Sequence, residues 1–388
     1  MAEFDVIVLG LGAMGSACAY QLAKRGAKVL GIDRFDPPHS FGSSHGDTRV
    51  TRLAIGEGEH YTPLALRSHE IWRQIEAETG ANLLTITGGL IISSDAPRAA
   101  THVEGFFANT VAAAKQFGIA HELLDAAAIR ARFPQFNIRD NEIGYFERDA
   151  GFLRPEECIR AQLDLARRHG AEIHPHETLL GFEADAHGVT VKTDRGTYSS
   201  RKLILAAGPW LPELLGESVP LPFKVLRQVQ FWFAVDGPAA DYAPDRMPVF
   251  IWEVQGGAQG IYGFPAADGP RGGVKVATEQ YFSTTTAATV SREVTVDEIE
   301  AMYRDHVAPN LAGLGSRCIK SAACLYTVTP DAGFVIDAHP ASERITIVSA
   351  CSGHGFKHSA AIGEAVAQQT LEGASTIDLS AFSLSRFA

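Results

Sequence analysis

Cysteine is scarce in this chain. Its five residues (Cys18, Cys158, Cys318, Cys324 and Cys351) are scattered through 388, and none forms a Cys-x-x-Cys pair. That spacing supplies neither a zinc cage nor a disulfide framework, so a cysteine that matters here must matter through the reactivity of a single thiol. Long apolar runs are also missing: nothing approaches the roughly 20 residues that cross a bilayer. Residues 1–10 lack the basic stretch and apolar core of a secretory peptide. A reduced, cytoplasmic protein is the expectation. Positive charge is in deficit, with 34 Lys+Arg against 45 Asp+Glu and a formal net charge of −11. Such a balance argues against a nucleic-acid footprint and against an anionic membrane surface. An anionic small molecule stays open, because a few local cations can dominate a pocket. No internal repeat or low-complexity linker is present. What remains is an ordinary globular composition, 46% hydrophobic and 20% charged, at a length that suits two lobes better than one core.

The first unit is the clearest. Asp5-Val6-Ile7-Val8-Leu9 reads as a buried strand running into Gly10-Leu11-Gly12-Ala13-Met14-Gly15. Ser16 to Arg25 has helical character and Gly26 stops it. Lys28 to Asp33 is a second strand ending in an acid, 18 residues beyond Gly15. Gly10 permits the tight turn, Gly12 a close approach of backbone to a pyrophosphate, and Gly15 close helix–strand packing. The helix N-terminus offers N–H groups to phosphate, and Asp33 can accept from a ribose hydroxyl. A bare G-x-G-x-x-G is weak evidence; with strand, helix and acid in place it is strong evidence for a dinucleotide site, the alternative being an ordinary strand–turn–helix. It does not distinguish FAD from NAD(P).

Two further stretches read as parts of the same lobe. Residues 157–208 give a helix, two strands and the buried strand Lys202 to Gly208. Residues 345–371 give a strand, a glycine-rich turn and a helix from about Phe356. Alternating patterns such as Gln228-Val229-Gln230-Phe231-Trp232-Phe233 read as antiparallel strands, and one helix is expected near 295–307. The fold class expected is α/β: a Rossmann-type FAD-binding domain (1–85, 151–220 and 320–388) interleaved with an antiparallel-sheet substrate domain (86–150 and 221–319).

Four segments carry a resemblance: Ser43-Ser44-His45-Gly46-Asp47-Thr48-Arg49-Val50-Thr51-Arg52; Tyr262-Gly263-Phe264-Pro265 followed by Gly273-Val274-Lys275; Cys324-Leu325-Tyr326-Thr327-Val328-Thr329-Pro330-Asp331; and Ser352-Gly353-His354-Gly355-Phe356-Lys357. They resemble, in order and from end to end, the monomeric sarcosine oxidase and N-methyltryptophan oxidase family. The resemblance implies a two-lobe flavoprotein related to the D-amino acid oxidases, acting as a monomer. It implies FAD held covalently by Cys324, whose thiolate can add to the 8-methyl carbon of the flavin. Arg52 and Lys357 match the positions that bind a substrate carboxylate, where a guanidinium fork and a second cation suit an anion in a dry pocket. Lys275 matches the lysine that activates O₂, with Arg49 over the opposite flavin face. Tyr262 and Tyr326 fall by the substrate pocket. Arg34 falls to the cofactor, and Ser43, Ser44 and His45 fit a loop contacting its pyrophosphate or ribityl chain. Gly353 and Gly355 let backbone pass close to the ring, with Lys357 opening the last helix.

One position departs from the family. Four residues after the lysine, where the family has a substrate-binding histidine, stands Glu279. An ionised acid accepts hydrogen bonds and attracts a cationic amine, which points away from sarcosine itself; a solvent-facing strand residue is the alternative. The reaction implied is dehydrogenation of a CH–N bond of a small secondary-amine acid, N-methyl or cyclic. Imine hydrolysis and reduction of O₂ to hydrogen peroxide follow, with no catalytic metal. A flavin-dependent D-amino-acid or imino-acid dehydrogenase using another acceptor, a D-amino-acid or cyclic-imino-acid oxidase, an NAD(P)-dependent reductase, or a non-catalytic nucleotide-binding protein would share the first βαβ unit. Peroxide yield under air, a substrate panel and the yellow colour of the purified protein separate these.

Overall fold

The chain is described from a computed structural model, at residues 2–94, 103–216, 223–256 and 259–387. The first strand, Phe4–Leu9, is buried at all but one residue. The reason is that both its edges are paired in parallel, with Val29–Ile32 on one side and Thr197–Leu205 on the other. Helices cover a parallel strand on its faces, so such a strand is apolar throughout rather than alternating. Around it runs an eight-stranded sheet. Thr197–Leu205 gives its first half to Val189–Thr193 and its second half to Ser342–Ser349. The helix Ala13–Lys24 packs on Pro155–Arg168 and on Ser359–Glu372, and it is buried from Ala13 to Ala23.

The second sheet has nine strands and is antiparallel except where Val249–Trp252 joins Gly89–Ser94. Its core includes Phe136, Phe231, Phe233, Phe250 and Trp252. Two long strands dominate it. Lys224–Val235 pairs with Leu314–Val328 along nearly its whole length, and with Val274–Thr278 at the other edge. Trp232 lies opposite Lys275 on one side and Lys320 on the other, and Gln228 opposite Cys324. Because side chains alternate with period two, Cys324, Lys320, Gln228, Gln230, Trp232 and Lys275 share one face.

That pairing moves a boundary. The strand continues to Val328, so Cys324 stands on the second sheet and not in the 320–388 portion assigned to the dinucleotide lobe. A separate small sheet of Arg49–Thr51, Leu84–Ile86 and Gly151–Leu153 carries Arg49. Lys357 does not open the last helix; it sits in the 3₁₀ turn Phe356–His358 just ahead of Ser359–Glu372. The helix expected near 295–307 is α-helical over Val296–Met302 and continues as a π-turn to Val307. The helix Thr62–Thr79 lies where no element was expected, while Phe106–Gln116 and Ala126–Arg132 are helices inside the 86–150 stretch expected to hold antiparallel strands. The first of these buries Leu64, Ala65, Ile71, Trp72 and Ile75 at helical spacing.

The turn into the first helix depends on glycine. Gly10 has φ +83°, and a Cβ added at Gly15 would stand 1.7 Å from the Gly10 carbonyl oxygen. That atom is backbone and cannot rotate aside. Gly15→Ala is expected to cost about 2 kcal/mol or more and to lower flavin content. A melting temperature equal to the wild type's, read by thermal denaturation, would remove the close-packing argument.

Candidate functional site

The C-terminal ends of the parallel strands open onto a cavity of about 230 Å³, lined by Gly10, Gly12, Asp33, Ser43, Ser44 and Gly355 among others. Asp33 is fixed by backbone: it accepts from Leu11 N at 2.7 Å and Phe35 N at 2.8 Å. The Ser44 hydroxyl accepts from Ala13 N at 3.3 Å, in the first turn of the helix. No acid occupies that turn and Gly12, the N-cap, contributes no side chain. Beyond the Ser44 hydroxyl, the helix N-terminus offers its positive end to an external anion. Ser43 Oγ and His45 Nε2 are buried without a hydrogen-bond partner among the described residues. Burial, with Arg49 and Lys275 nearby, drives the His45 imidazole down to about 3, so it is neutral. Arg34 is exposed at the cavity's edge. Orphaned polar atoms, an uncapped helix and a buried acid fit a dinucleotide with a long polar chain.

A second cavity, about 110 Å³, adjoins the first: Arg49, Tyr326, Gly353 and Phe356 line both. Lys357, Tyr262 and Glu279 line the second. The structure thus brings Arg49, Tyr262, Glu279, Tyr326 and Lys357 to one chamber. Glu279 is no solvent-facing strand residue. Its carboxylate accepts from Tyr281 Oη and from Tyr326 Oη, each at 3.3 Å. Burial, reinforced by this carboxylate, pushes both phenols well above their usual range, so they remain donors. Tyr262 is likewise raised, chiefly by burial. Gly353 (φ +86°) holds backbone against this group: a Cβ there would meet Tyr281 Oη and Tyr326 Cε2 at 2.8 Å.

Arg52 lines neither of these two cavities. It is 3% exposed and is engaged by Glu57, whose Oε2 lies 2.5 Å from its Nη2. It also donates to the Ala54 carbonyl. Lys357 Nζ donates to the His354 carbonyl at 2.8 Å and lies 3.5 Å from Glu57 Oε1. Burial lowers the Lys357 ammonium to about 8, with Glu57 opposing. One buried carboxylate thus serves two buried cations. Glu57 escaped the sequence reading; its only signal was an acid between two glycines, Gly56 and Gly58, shortly after Arg52.

Lys275 and Cys324 also stand outside the two cavities, on the shared face of the second sheet. Lys275 Nζ donates to Gly46 O at 2.7 Å, Thr48 O at 2.9 Å and Thr48 Oγ1 at 3.4 Å. It lies 5.1 Å from the Trp232 ring and 4.8 Å from Phe264. Burial, then Arg49, hold its ammonium well below the usual lysine range. The Cys324 thiol accepts from Gln230 Nε2 at 3.3 Å. Burial raises it, while Arg49 and Lys275 pull it down.

The model of the FAD dependent oxidoreductase (DAO) family matches residues 5–369. The chain belongs to that family. Within the family it is 40% identical to a monomeric sarcosine oxidase of Streptomyces avermitilis over 386 residues, 99% of this chain and 98% of that protein. It is 36% identical to an N-methyl-L-tryptophan oxidase of Salmonella arizonae over 392 residues, all of both chains. In fold it is similar to NikD, described as an unusual amino acid oxidase essential for nikkomycin biosynthesis. The TM-score is 0.83 at 24% identity, over 98% of this chain and 97% of that one. Glycine oxidase from Geobacillus kaustophilus follows at a TM-score of 0.76 and 18% identity, over 100% and 99%. Among the described residues no helix is long and apolar enough to cross a membrane.

The Lys357 shift carries a testable sign. Its folded value, about 8, lies below the ordinary 10.5. Below pH 8 both states are protonated and the folded state bears the full cost of the buried charge. Between 8 and 10.5 the unfolded chain binds more protons, so this cost fades as pH rises. Lys357→Met, which leaves Glu57 paired with Arg52, is expected to be more stable than the wild type by on the order of 1–3 kcal/mol at neutral pH. The gain should shrink above pH 8. Melting temperatures of both proteins from pH 6.5 to 9.5 test this, and a gain that grew with pH would reverse the assignment.

Proposed function

We propose that this chain is a monomeric, cytoplasmic FAD oxidase of a small secondary-amine acid, N-methyl or cyclic, with the flavin tethered through Cys324. The observation that carries the proposal is the contiguity of the two cavities. A chamber holding a buried ammonium and a phenol-bound carboxylate shares Arg49, Tyr326 and Gly353 with the dinucleotide cavity. Homology to secondary-amine oxidases supports the same reading.

Gly10, Gly12, Gly15, Asp33, Arg34, Ser43, Ser44 and His45 would hold the nucleotide and pyrophosphate, with Gly353 and Gly355 against the ring. Bound FAD would accept the hydride equivalent of a CH–N bond and pass two electrons to O₂, giving hydrogen peroxide. The chain's own part is binding, placement and charge. Lys357 binds the substrate carboxylate, and Arg52 completes the grip by exchanging Glu57 for that carboxylate. Glu279 Oε1 and Oε2 attract the substrate's amino group and hold its nitrogen in place. The phenols of Tyr281 and Tyr326 hold that carboxylate in place, while Tyr262 closes the chamber beside Phe264. Lys275 stabilises the negative charge that builds on O₂ as it is reduced. Water then hydrolyses the released imine.

Two experiments test this. Acid precipitation should carry the flavin down with the wild-type protein and leave it in the supernatant with Cys324→Ala; flavin in both supernatants removes the tether. Glu279→Gln should raise KM for N-methyl amino acids about tenfold, the worth of one hydrogen bond to a charged group, with kcat within about threefold. An unchanged KM would return Glu279 to a structural role.

A further inference from the structure

Lys275 is tied to the protein largely through one short loop, and that loop is gripped from the other side by a single carboxylate. Gly46 N and Asp47 N donate to Glu156 Oε1 at 2.6 and 3.3 Å. The Gly46 carbonyl, which accepts from Lys275, and the Asp47 N–H, which donates to Glu156, belong to the same planar peptide unit. An anion at the N–H end of an amide draws electron density onto its oxygen and strengthens that oxygen as an acceptor for an ammonium. Glu156 reaches the loop from the first turn of Pro155–Arg168, on the dinucleotide lobe and opposite the sheet that carries Lys275, where a carboxylate is favoured by the helix end. The loop is otherwise a strained place to hang a charge. Asp47 has φ +66°, and its carboxylate is held by Lys320 Nζ at 2.7 and 2.8 Å. Lys320 and Lys275 also flank one ring, Trp232.

We infer that Glu156 is a positioning residue for Lys275: by clamping the Gly46–Asp47 peptide it fixes where the ammonium stands and supports its charge. The inference rests on the reading that Lys275 serves the oxygen step. The charged and titratable groups around Lys275 are Arg49 and His45 from the loop segment, Asp47 and Glu156, and Cys324 from the long strand. Among them the two carboxylates favour the ammonium and Arg49 opposes it.

The test uses the holoenzymes of Glu156→Gln, Glu156→Asp and Lys275→Met. Anaerobic reduction by substrate and reoxidation by O₂ are timed separately across pH. The Nζ of Lys275 is titrated by NMR in ¹⁵N-lysine-labelled protein without turnover. Gln keeps an acceptor and loses only the charge. Reoxidation of Glu156→Gln should slow about tenfold, with anaerobic reduction within about twofold. The pH at which reoxidation declines, and the Nζ titration, should both move down, since removing a carboxylate disfavours the ammonium. Glu156→Asp should restore the pH profile while recovering only part of the rate. Unmoved reoxidation and Nζ titration in the Gln variant overturn the inference, as does an equal fall in both half-reactions. Lys275→Met separates the two levels. If it reoxidises like the wild type, the oxygen reading fails; if it is slow while Glu156→Gln is not, only the role of Glu156 fails. Should the Gln variant not fold, the Asp variant carries the test through its rate, and a wild-type reoxidation rate there overturns the inference.

Discussion

Three cations, Arg52, Lys275 and Lys357, are kept at 4% exposure or less in a protein whose net charge is −11. Removing an ammonium or guanidinium from water costs several kcal/mol even after relaxation. The surrounding structure is largely the means of meeting that cost. Two of them converge on Glu57. Lys275 has no carboxylate within salt-bridge distance among the described residues and is held by carbonyl oxygens and two aromatic rings. The distinction has chemical consequences. A cation bound to a carboxylate is neutralised where it stands, and can be released only to another anion. A cation bound to carbonyl dipoles keeps its field, which is what stabilising charge on a neutral molecule requires.

The supports of these cations are distributed by strand register. Pairing Trp232 with both Lys275 and Lys320, and Gln228 with Cys324, puts the thiol, the lysines and the tryptophan on one sheet face. A slip of one residue would turn every one of them to the opposite face. The long antiparallel pair of Lys224–Val235 and Leu314–Val328 protects against such a slip, because the same register buries Phe231 and Phe233 in the core on the other side. Core packing and site geometry are therefore one constraint, and a strand whose later residues were assigned to the cofactor lobe by sequence position serves the other sheet.

How much of this was legible in the sequence follows the range of each interaction. The first βαβ unit is local: strand, glycine turn, helix and Asp33 lie within 30 residues, and each signal restrains the next. Lys275, Lys357 and Cys324 were singled out only because the short motifs around them resemble those of a known family. Glu57, Tyr281, Gln230 and Glu156 were not. Their meaning lies in partners up to 300 residues away, as with Glu57 and Lys357, and no local periodicity marks them. Glu279 was visible only as an acid in an unusual place; the two phenols that hold it give it a direction. The boundary placed at residue 319 fell inside a strand because the alternation of Leu314–Val328 is broken by two register shifts.

The separation of the cations also bears on traffic. Lys357 and Glu279 open onto the smaller cavity; Lys275 opens onto neither that cavity nor the larger one. On the reading proposed, a ring in the larger cavity is met by substrate from the side of Arg49, Tyr326 and Gly353. Oxygen is met from the sheet side, beneath Trp232 and the Gly46–Thr48 loop. Two reactants that must both reach one ring then need not displace each other. The arrangement asks that the sheet side stay rigid while the chamber side adapts, and the bonds are distributed accordingly. Lys275 is held by backbone, which cannot rotate away, while Arg52 is held by the side chain of Glu57, which can. An oxidase assembled on this plan can change its substrate by altering the chamber without touching the residues that handle oxygen.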